Sequence, residues 1–318
     1  MKERVKILIE KIKGAKSIAL IMHNNPDGDA LGSTLGLAEL IHDNFGKSAA
    51  CLYVGTIPRS FDWMPGRGHV QHSAEIAEDY APDLAIMIDT SGGNTGTESM
   101  AIFGRAHDTI KIDHHPEECS PDLAKLNIHK IVNSTAQIIL EIAQTADWKI
   151  SRDVATNLYA AISDDTGRFK WVDTPDAFVA AAECVKLGAD PREVDEQMEI
   201  SDRESTLLNA KIVIDAEFYF DGKLAMSSVV REDYPKLDGK GGNAMEALRM
   251  IDSVEYVALL KETAENNVHV SFRSRRLPVH LIAAALGGGG HPNAAAARIY
   301  TNLDDAKKII LQAFENVV

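Results

Sequence analysis

His23-Asn24-Asn25-Pro26-Asp27-Gly28-Asp29-Ala30-Leu31-Gly32-Ser33 is the stretch around which the rest of the chain is arranged. An apolar run, Ile18-Ala19-Leu20-Ile21-Met22, precedes it, and Leu35, Leu37, Ala38, Leu40 and Ile41 follow it at helical spacing. That order predicts a strand, a tight acidic loop and a helix, with Pro26 and Gly28 punctuating the turn and Ser33 or Thr34 capping the helix. One imidazole and two carboxylates thus leave the strand almost together. Packing them side by side without a cation is costly through like-charge repulsion and desolvation. A hard divalent metal removes that cost. The competing reading, an Asp/Gly-rich surface turn, is answered by what recurs further along.

Asp83-Leu84-Ala85-Ile86-Met87-Ile88-Asp89 is another apolar run ending in a carboxylate, followed by the loop Thr90-Ser91-Gly92-Gly93-Asn94. Thr109-Ile110-Lys111-Ile112 runs into Asp113-His114-His115-Pro116. Further strands are expected at residues 49–54 and 128–132, an opening helix at 4–13, and helices at 134–147 and 152–163, the last ending in Ser163-Asp164-Asp165-Thr166-Gly167. Strands without polar alternation, separated by helices, imply a parallel sheet covered on both faces. Ligands of such sheets bind at the carboxyl ends of the strands. The acids and imidazoles at those ends are therefore expected to meet in one crevice.

Residues 174–215 read as helical, with Gly188 as a C-cap and Ser201-Asp202-Arg203-Glu204 as a capping box. This charged stretch divides the chain into residues 1–187, a helical linker at 188–213, and residues 214–318. The last part reads as α+β, with strands at 214–220, 223–230, 254–261 and 267–273, and helices at 244–251, 279–286 and 304–316. Between Asn266 and Asn302 there is no Asp or Glu, while Arg273, Arg275, Arg276 and Arg298 fall there. The same window holds Gly287-Gly288-Gly289-Gly290-His291-Pro292-Asn293. Glycine backbone N–H groups can approach phosphate oxygens closely; a flexible loop beside surface arginines is the alternative.

A chain of 318 residues with 45% hydrophobic and 25% charged residues fits two globular domains. A net charge of −14 argues against a protein that coats long nucleic acid, which needs many Lys/Arg–phosphate contacts. Cys51, Cys119 and Cys184 show neither metal-site nor disulfide spacing and suit a reducing cytosol. No apolar run approaches ~20 residues, and Met1-Lys2-Glu3-Arg4 opens no signal sequence. The expectation is a soluble, cytoplasmic protein without a membrane partner.

Taken in order, HxxPDGDAxGS at 23–33, Asp89, DHH at 113–115, DTGRF at 165–169, and SFRS with GGGGHPNAA at 271–295 resemble the DHH phosphoesterase superfamily. The similarity is to the subgroup with a C-terminal DHHA1 domain, which includes bacterial oligoribonucleases (nanoRNases) and phosphoadenosine phosphate phosphatases. The resemblance implies an α/β fold: a parallel-sheet DHH domain with helices on both faces, a smaller α+β DHHA1 domain, and an active-site cleft between them. It implies two divalent metal ions, manganese foremost, with magnesium or cobalt as alternatives. One ion is held by His23 and Asp27, the other by Asp29 and His114, with Asp89 bridging and Asp165 completing the set. The doublet Asp164-Asp165 leaves open which acid is the ligand; Asp165 is preferred because it directly precedes Thr166-Gly167-Arg168-Phe169. His115 and His291 are the implied catalytic histidines, and Asp113 orients the imidazole beside it. Arg273, Gly288, Gly289, Gly290, His291, Asn293 and Arg168 are the implied substrate contacts. One further departure is Ala295-Ala296-Ala297, where the family pattern commonly has a glycine after two alanines.

The implied reaction is hydrolysis of very short oligonucleotides to mononucleotides by water activated between two metals. The alternative is a phosphatase or phosphodiesterase for signalling nucleotides: phosphoadenosine phosphate, or linear and cyclic dinucleotides. A nucleotide-binding regulator with a dead catalytic domain is disfavoured, because every ligand position holds a competent residue. A homodimer is consistent with the family. Long duplex nucleic acid is not expected as a partner.

Overall fold

All pairings in the first sheet are parallel. The computed structural model describes residues 1–90, 92–116, 123–172, 174–237 and 242–315; Ser91, Cys119, Asn316 and the side chain of His291 lie outside the described residues. The chain divides after Ile200 into two compact units.

In the first unit, α1 (Lys2–Gly14) leads into β1 (Ile18–Asn24), α2 (Gly28–Phe45), β2 (Ala49–Val54), β3 (Val70–His72) and β4 (Leu84–Ile88). Then come α3 (Thr97–Arg105), β5 (Asp108–Asp113), β6 (Leu126–His129), α4 (Thr135–Thr145), α5 (Arg152–Asp165), α6 (Asp176–Lys186) and α7 (Pro191–Glu199). The strand order is β3-β2-β1-β4-β5-β6, so the direction of winding reverses between β1 and β4. On one face, Ile18, Leu20, Met22, Ile86, Ile88, Ile110 and Ile112 are buried with side chains of α1, α2, α4 and α5. On the other, Ala19, Ile21, Ala85 and Met87 pack with Ile102 and Phe103 of α3. Burial on both faces is why these strands are apolar without alternation.

The helix after β1 starts earlier than the sequence pattern suggests. Asp27 is its N-cap, accepting from the Ala30 N–H at 3.0 Å, so Ser33 and Thr34, expected as caps, lie inside α2. Asp competes well for an N-cap, and the acidic loop thereby becomes the first helical turn. Two glycines let α2 pack closely on α5: a Cβ on Gly32 would lie 2.5 Å from the Asn157 carbonyl oxygen, and one on Gly36 2.9 Å from Leu158 Cδ2.

The second unit contains α8 (Arg203–Ile214), β7 (Glu217–Tyr219), β8 (Leu224–Val229), α9 (Gly242–Arg249), β9 (Tyr256–Ala264) and β10 (Asn267–Ser274). It ends with α10 (His280–Ala285), β11 (Gly289–His291), β12 (Ala294–Ile299) and α11 (Leu303–Glu315). The mixed sheet runs β11-β12-β10-β9-β8-β7, with β8 and β9 parallel and the other neighbours antiparallel. Leu260, Val270 and Phe272 meet Ile282, Ile310 and Phe314 on one face; Val257 and Leu259 meet Leu208, Ile212 and Met245 on the other. The α8 cap is Asp202, whose carboxylate accepts from Ser205 N–H at 2.8 Å, rather than Ser201. Cys51 and Cys184 are free and buried. Among the described residues no helix is long and apolar enough to cross a membrane.

Candidate metal centre

The register of the first sheet sets the level of the site. Ile21 pairs with Met87 and Met87 with Lys111, so two residues onward His23, Asp89 and Asp113 stand in one row where β1, β4 and β5 end. Between β1 and β4 the winding reverses, the position at which doubly wound sheets leave a crevice. Asp89 leaves its strand with φ 55°, a conformation uncommon outside glycine and frequent at functional sites.

Among the described residues, three groups of donor atoms form at this edge, each with its atoms within 4.8 Å of one another: His23/Asp27/Asp89, Asp89/His114/His115 and Asp29/His114/Asp165. His23 Nε2 lies 3.5 Å from Asp27 Oδ1 and 3.7 Å from Asp89 Oδ2. His114 Nε2 lies 3.4 Å from Asp89 Oδ1, 3.3 Å from Asp165 Oδ2 and 3.9 Å from Asp29 Oδ2. Asp89 and His114 each belong to two groups. All six residues expected to bind metal are thus gathered at one edge, although they arise from β1, α2, the segments after β4 and β5, and the end of α5.

The tautomers are informative. Nδ1 of His23 is 3.1 Å from the Asn24 carbonyl oxygen, and Nδ1 of His114 is 2.9 Å from that of Val132. A carbonyl only accepts, so each Nδ1 carries a proton, which leaves Nε2 as the ring atom that turns toward the carboxylates. Lone pair facing carboxylate is repulsive unless a proton or a cation stands between them.

The electrostatics agree. Burial alone would lower the His23 imidazole, but the Asp27 hydrogen bond and charge outweigh it and raise it to about 9. Asp29, Asp89 and Asp165 are all pushed up, first by burial and then by neighbouring carboxylates. Burial also acts upward on Asp27, yet His23 draws it down to about 2. Protons are thus recruited to a cluster short of positive charge. An imidazole and carboxylate donor set of this kind suits a hard-to-borderline divalent ion.

Around this cluster the structure adds residues that motif reading passes over. Asp29 lies over the start of α4, with Oδ2 accepting from Thr135 N–H at 2.7 Å and Oδ1 from Ala136 N–H at 3.2 Å. The helix dipole favours an anion there. Ser33 Oγ donates to Asp29 at 3.0 Å, and Thr135 Oγ1 donates to Asp89 at 2.9 Å. The available signal is the capping box of Ser134 and Gln137, which marks that helix start. Asp113, fully buried, accepts from His115 Nδ1 at 2.7 Å, and His115 is raised chiefly by that bond. Asp164 belongs to none of these donor groups, and its Oδ2 accepts from Gly28 N–H at 2.8 Å.

The other expected contacts are placed differently. Arg168 extends to Glu199, 2.5 Å away, rather than into the cluster. In the second unit Arg273 pairs with Ala294 across β10 and β12, and Ala294 with His291 across β12 and β11, so the two named positions share a row. Gly289 and Gly290 belong to β11. A Cβ on Gly288 would lie 2.1 Å from the Ala296 carbonyl oxygen, and one on Gly290 2.6 Å from that of Ala294. Close packing on β12 thus accounts for those two glycines, which remain exposed. Asn293 is tied down through its backbone carbonyl, which accepts from Ser274 N–H at 3.0 Å.

Comparison with known proteins follows the same division. Residues 17–162 match the DHH family, N-terminal domain, and residues 224–316 match the DHHA1 domain. A probable bifunctional oligoribonuclease and PAP phosphatase NrnA of Streptococcus mutans is 29% identical over 300 residues, covering 93% of this chain and 94% of that one. The bifunctional oligoribonuclease and PAP phosphatase NrnA of Bacillus subtilis is 27% identical over 312 residues, covering 95% of each. The crystal structure of an exopolyphosphatase-related protein from Bacteroides fragilis superposes with a TM-score of 0.90 at 22% identity, covering 99% of this chain and 96% of that one. At that identity the likeness speaks to the fold.

Proposed function

The chain belongs to the DHH family and carries a DHHA1 domain, and from that premise we propose that it is a phosphodiesterase cleaving very short oligonucleotides to mononucleotides. The observation that carries this reading is the arrangement of His23, Asp27, Asp29, Asp89, His114 and Asp165 in donor groups that share Asp89 and His114. Relatives that span nearly all of the chain are named oligoribonuclease and PAP phosphatase, which supports short RNA and phosphoadenosine phosphate as substrates.

When bound, a pair of divalent ions, manganese foremost, supplies the charge that a phosphodiester and its attacking water need. His23 and Asp27 would hold one ion, Asp29, His114 and Asp165 the other, and Asp89 both. The Asn24 and Val132 carbonyls fix the two imidazoles with Nε2 available as ligand. His115, bonded to Asp113 and drawn toward its charged form, places a proton-bearing ring beside Asp89 to meet phosphoryl charge. Arg273 and the β11 segment serve as anion contacts in the second unit. A net charge of −14 works against a long polyanion, which favours substrates of a few nucleotides. A cytoplasmic location belongs to the same proposal, supported by cysteines whose spacing suits a reducing compartment.

The test is release of mononucleotide from a dinucleotide with added Mn2+, compared with phosphoadenosine phosphate, cyclic dinucleotides and a twenty-mer. Activity is expected on the short substrates, and to vanish in Asp89→Ala and in His114→Ala. Activity that survives both substitutions refutes the site; equal turnover of a two-mer and a twenty-mer refutes the length preference.

A further inference from the structure

Helix α5 ends in two consecutive acids that do different things. Residues adjacent in a helix point about 100° apart, and here Asp165 faces His114 while Asp164 faces the first turn of α2. Gly28 is the first residue of α2, where an amide has no partner within its own helix. Asp27, the cap, spends Oδ1 on Ala30 N–H. Gly28 N–H is met instead by Asp164 Oδ2, at 2.8 Å, from far along the chain.

The fit is close enough to be specific. A Cβ on Gly28 would lie 2.7 Å from Cβ, Cγ and Oδ2 of Asp164, so any side chain at 28 expels the carboxylate. Gly28 also sits between Asp27 and Asp29, which belong to different donor groups. Pinning that one amide therefore sets both acids at once.

We propose that Asp164 is a positioning residue rather than a ligand: it holds the Gly28 N–H and thereby fixes Asp27 and Asp29 at the spacing both cation sites require. The inference rests on the reading that the cluster binds divalent cations.

The test is titration of the full-length protein with Mn2+, following free Mn2+ by electron paramagnetic resonance, with dinucleotide kinetics alongside. Asp164→Ala is expected to weaken Mn2+ binding at both sites by roughly ten- to hundredfold, the usual cost of losing a residue that orients ligands. Asp164→Asn, whose amide oxygen still accepts from Gly28, should recover most of that affinity. Gly28→Ala should resemble Asp164→Ala, and the double variant should be no worse than either single one, because all three lose the same contact. Melting of the metal-free proteins identifies any variant that has merely unfolded, in which case Asp164→Asn against wild type decides. If Asp164→Ala binds Mn2+ as wild type does, or Asp164→Asn is as weak as Asp164→Ala, the inference is wrong; the second outcome would mean that the charge itself acts on the ions. Wild-type protein that takes up no Mn2+ would overturn the cation-binding reading and this inference with it.

Discussion

Gly32→Ala offers a demanding test of how the site is built. Its new Cβ would meet the Asn157 carbonyl oxygen at 2.5 Å, Ala161 Cβ at 2.9 Å and Met64 Cε at 3.1 Å. Alanine in a helix interior gains about 1 kcal/mol over glycine. Overpacking costs about 1–3 kcal/mol, and the upper part of that range applies because a helical backbone oxygen cannot rotate aside. The net expectation is a loss of about 1–2 kcal/mol. Gly36→Ala is the internal control: its nearest neighbour is Leu158 Cδ2 at 2.9 Å, the movable end of a side chain, so cost and gain nearly cancel. Urea unfolding should show a lower midpoint with unchanged slope for Gly32→Ala and little change for Gly36→Ala. Activity should fall further than stability, since wedging α2 from α5 separates Asp27 and Asp29 from Asp165. If Gly32→Ala proves as stable and as active as Gly36→Ala, the close helix contact does not hold the site.

Thr135→Val removes the hydroxyl donor to Asp89 but keeps the backbone donor to Asp29; Mn2+ affinity should drop about tenfold or more, measured by titration. Burial pushes the thiols of Cys51 and Cys184 up to about 12, so both stay protonated at neutral pH, and peptide mapping after iodoacetamide should find them unmodified until the protein is denatured. Burial would raise Asp108, but Lys11 and the Thr109 amide draw it below its ordinary value. That contribution is present at neutral pH and lost as pH falls through the lowered value. Lys11→Met should therefore destabilise the protein at pH 7, with the gap to wild type closing in strong acid, as followed by thermal melting.

Much of this was readable from residue order because the centre hangs on strands with a loud signature. Runs such as Ile18–Met22 and Leu84–Ile88 are apolar because both faces are buried, and acids at their ends stand out against them. Elsewhere the signal is weak for physical reasons. β3 has three residues, and β12 begins with four alanines, which lack the branched side chains that mark a strand. α3 follows a glycine-rich loop, with Gly96 as its N-cap and no side-chain cap bond. The start of α2 was obscured because Asp27 serves as both cap and candidate ligand. Thr135 and the Asp164–Gly28 contact depend on segments remote in sequence, and no local pattern encodes them.

One consequence concerns synthesis. The donor set opens with His23 on β1 and closes only with Asp165 at the end of α5. Domains tend to form as units while the chain emerges, so a nascent chain displays its early acids well before their last partner leaves the ribosome. On the proposed function, loading with cations is an act of the finished first unit, and fragments that stop short of α5 should bind them poorly even where every upstream donor is present.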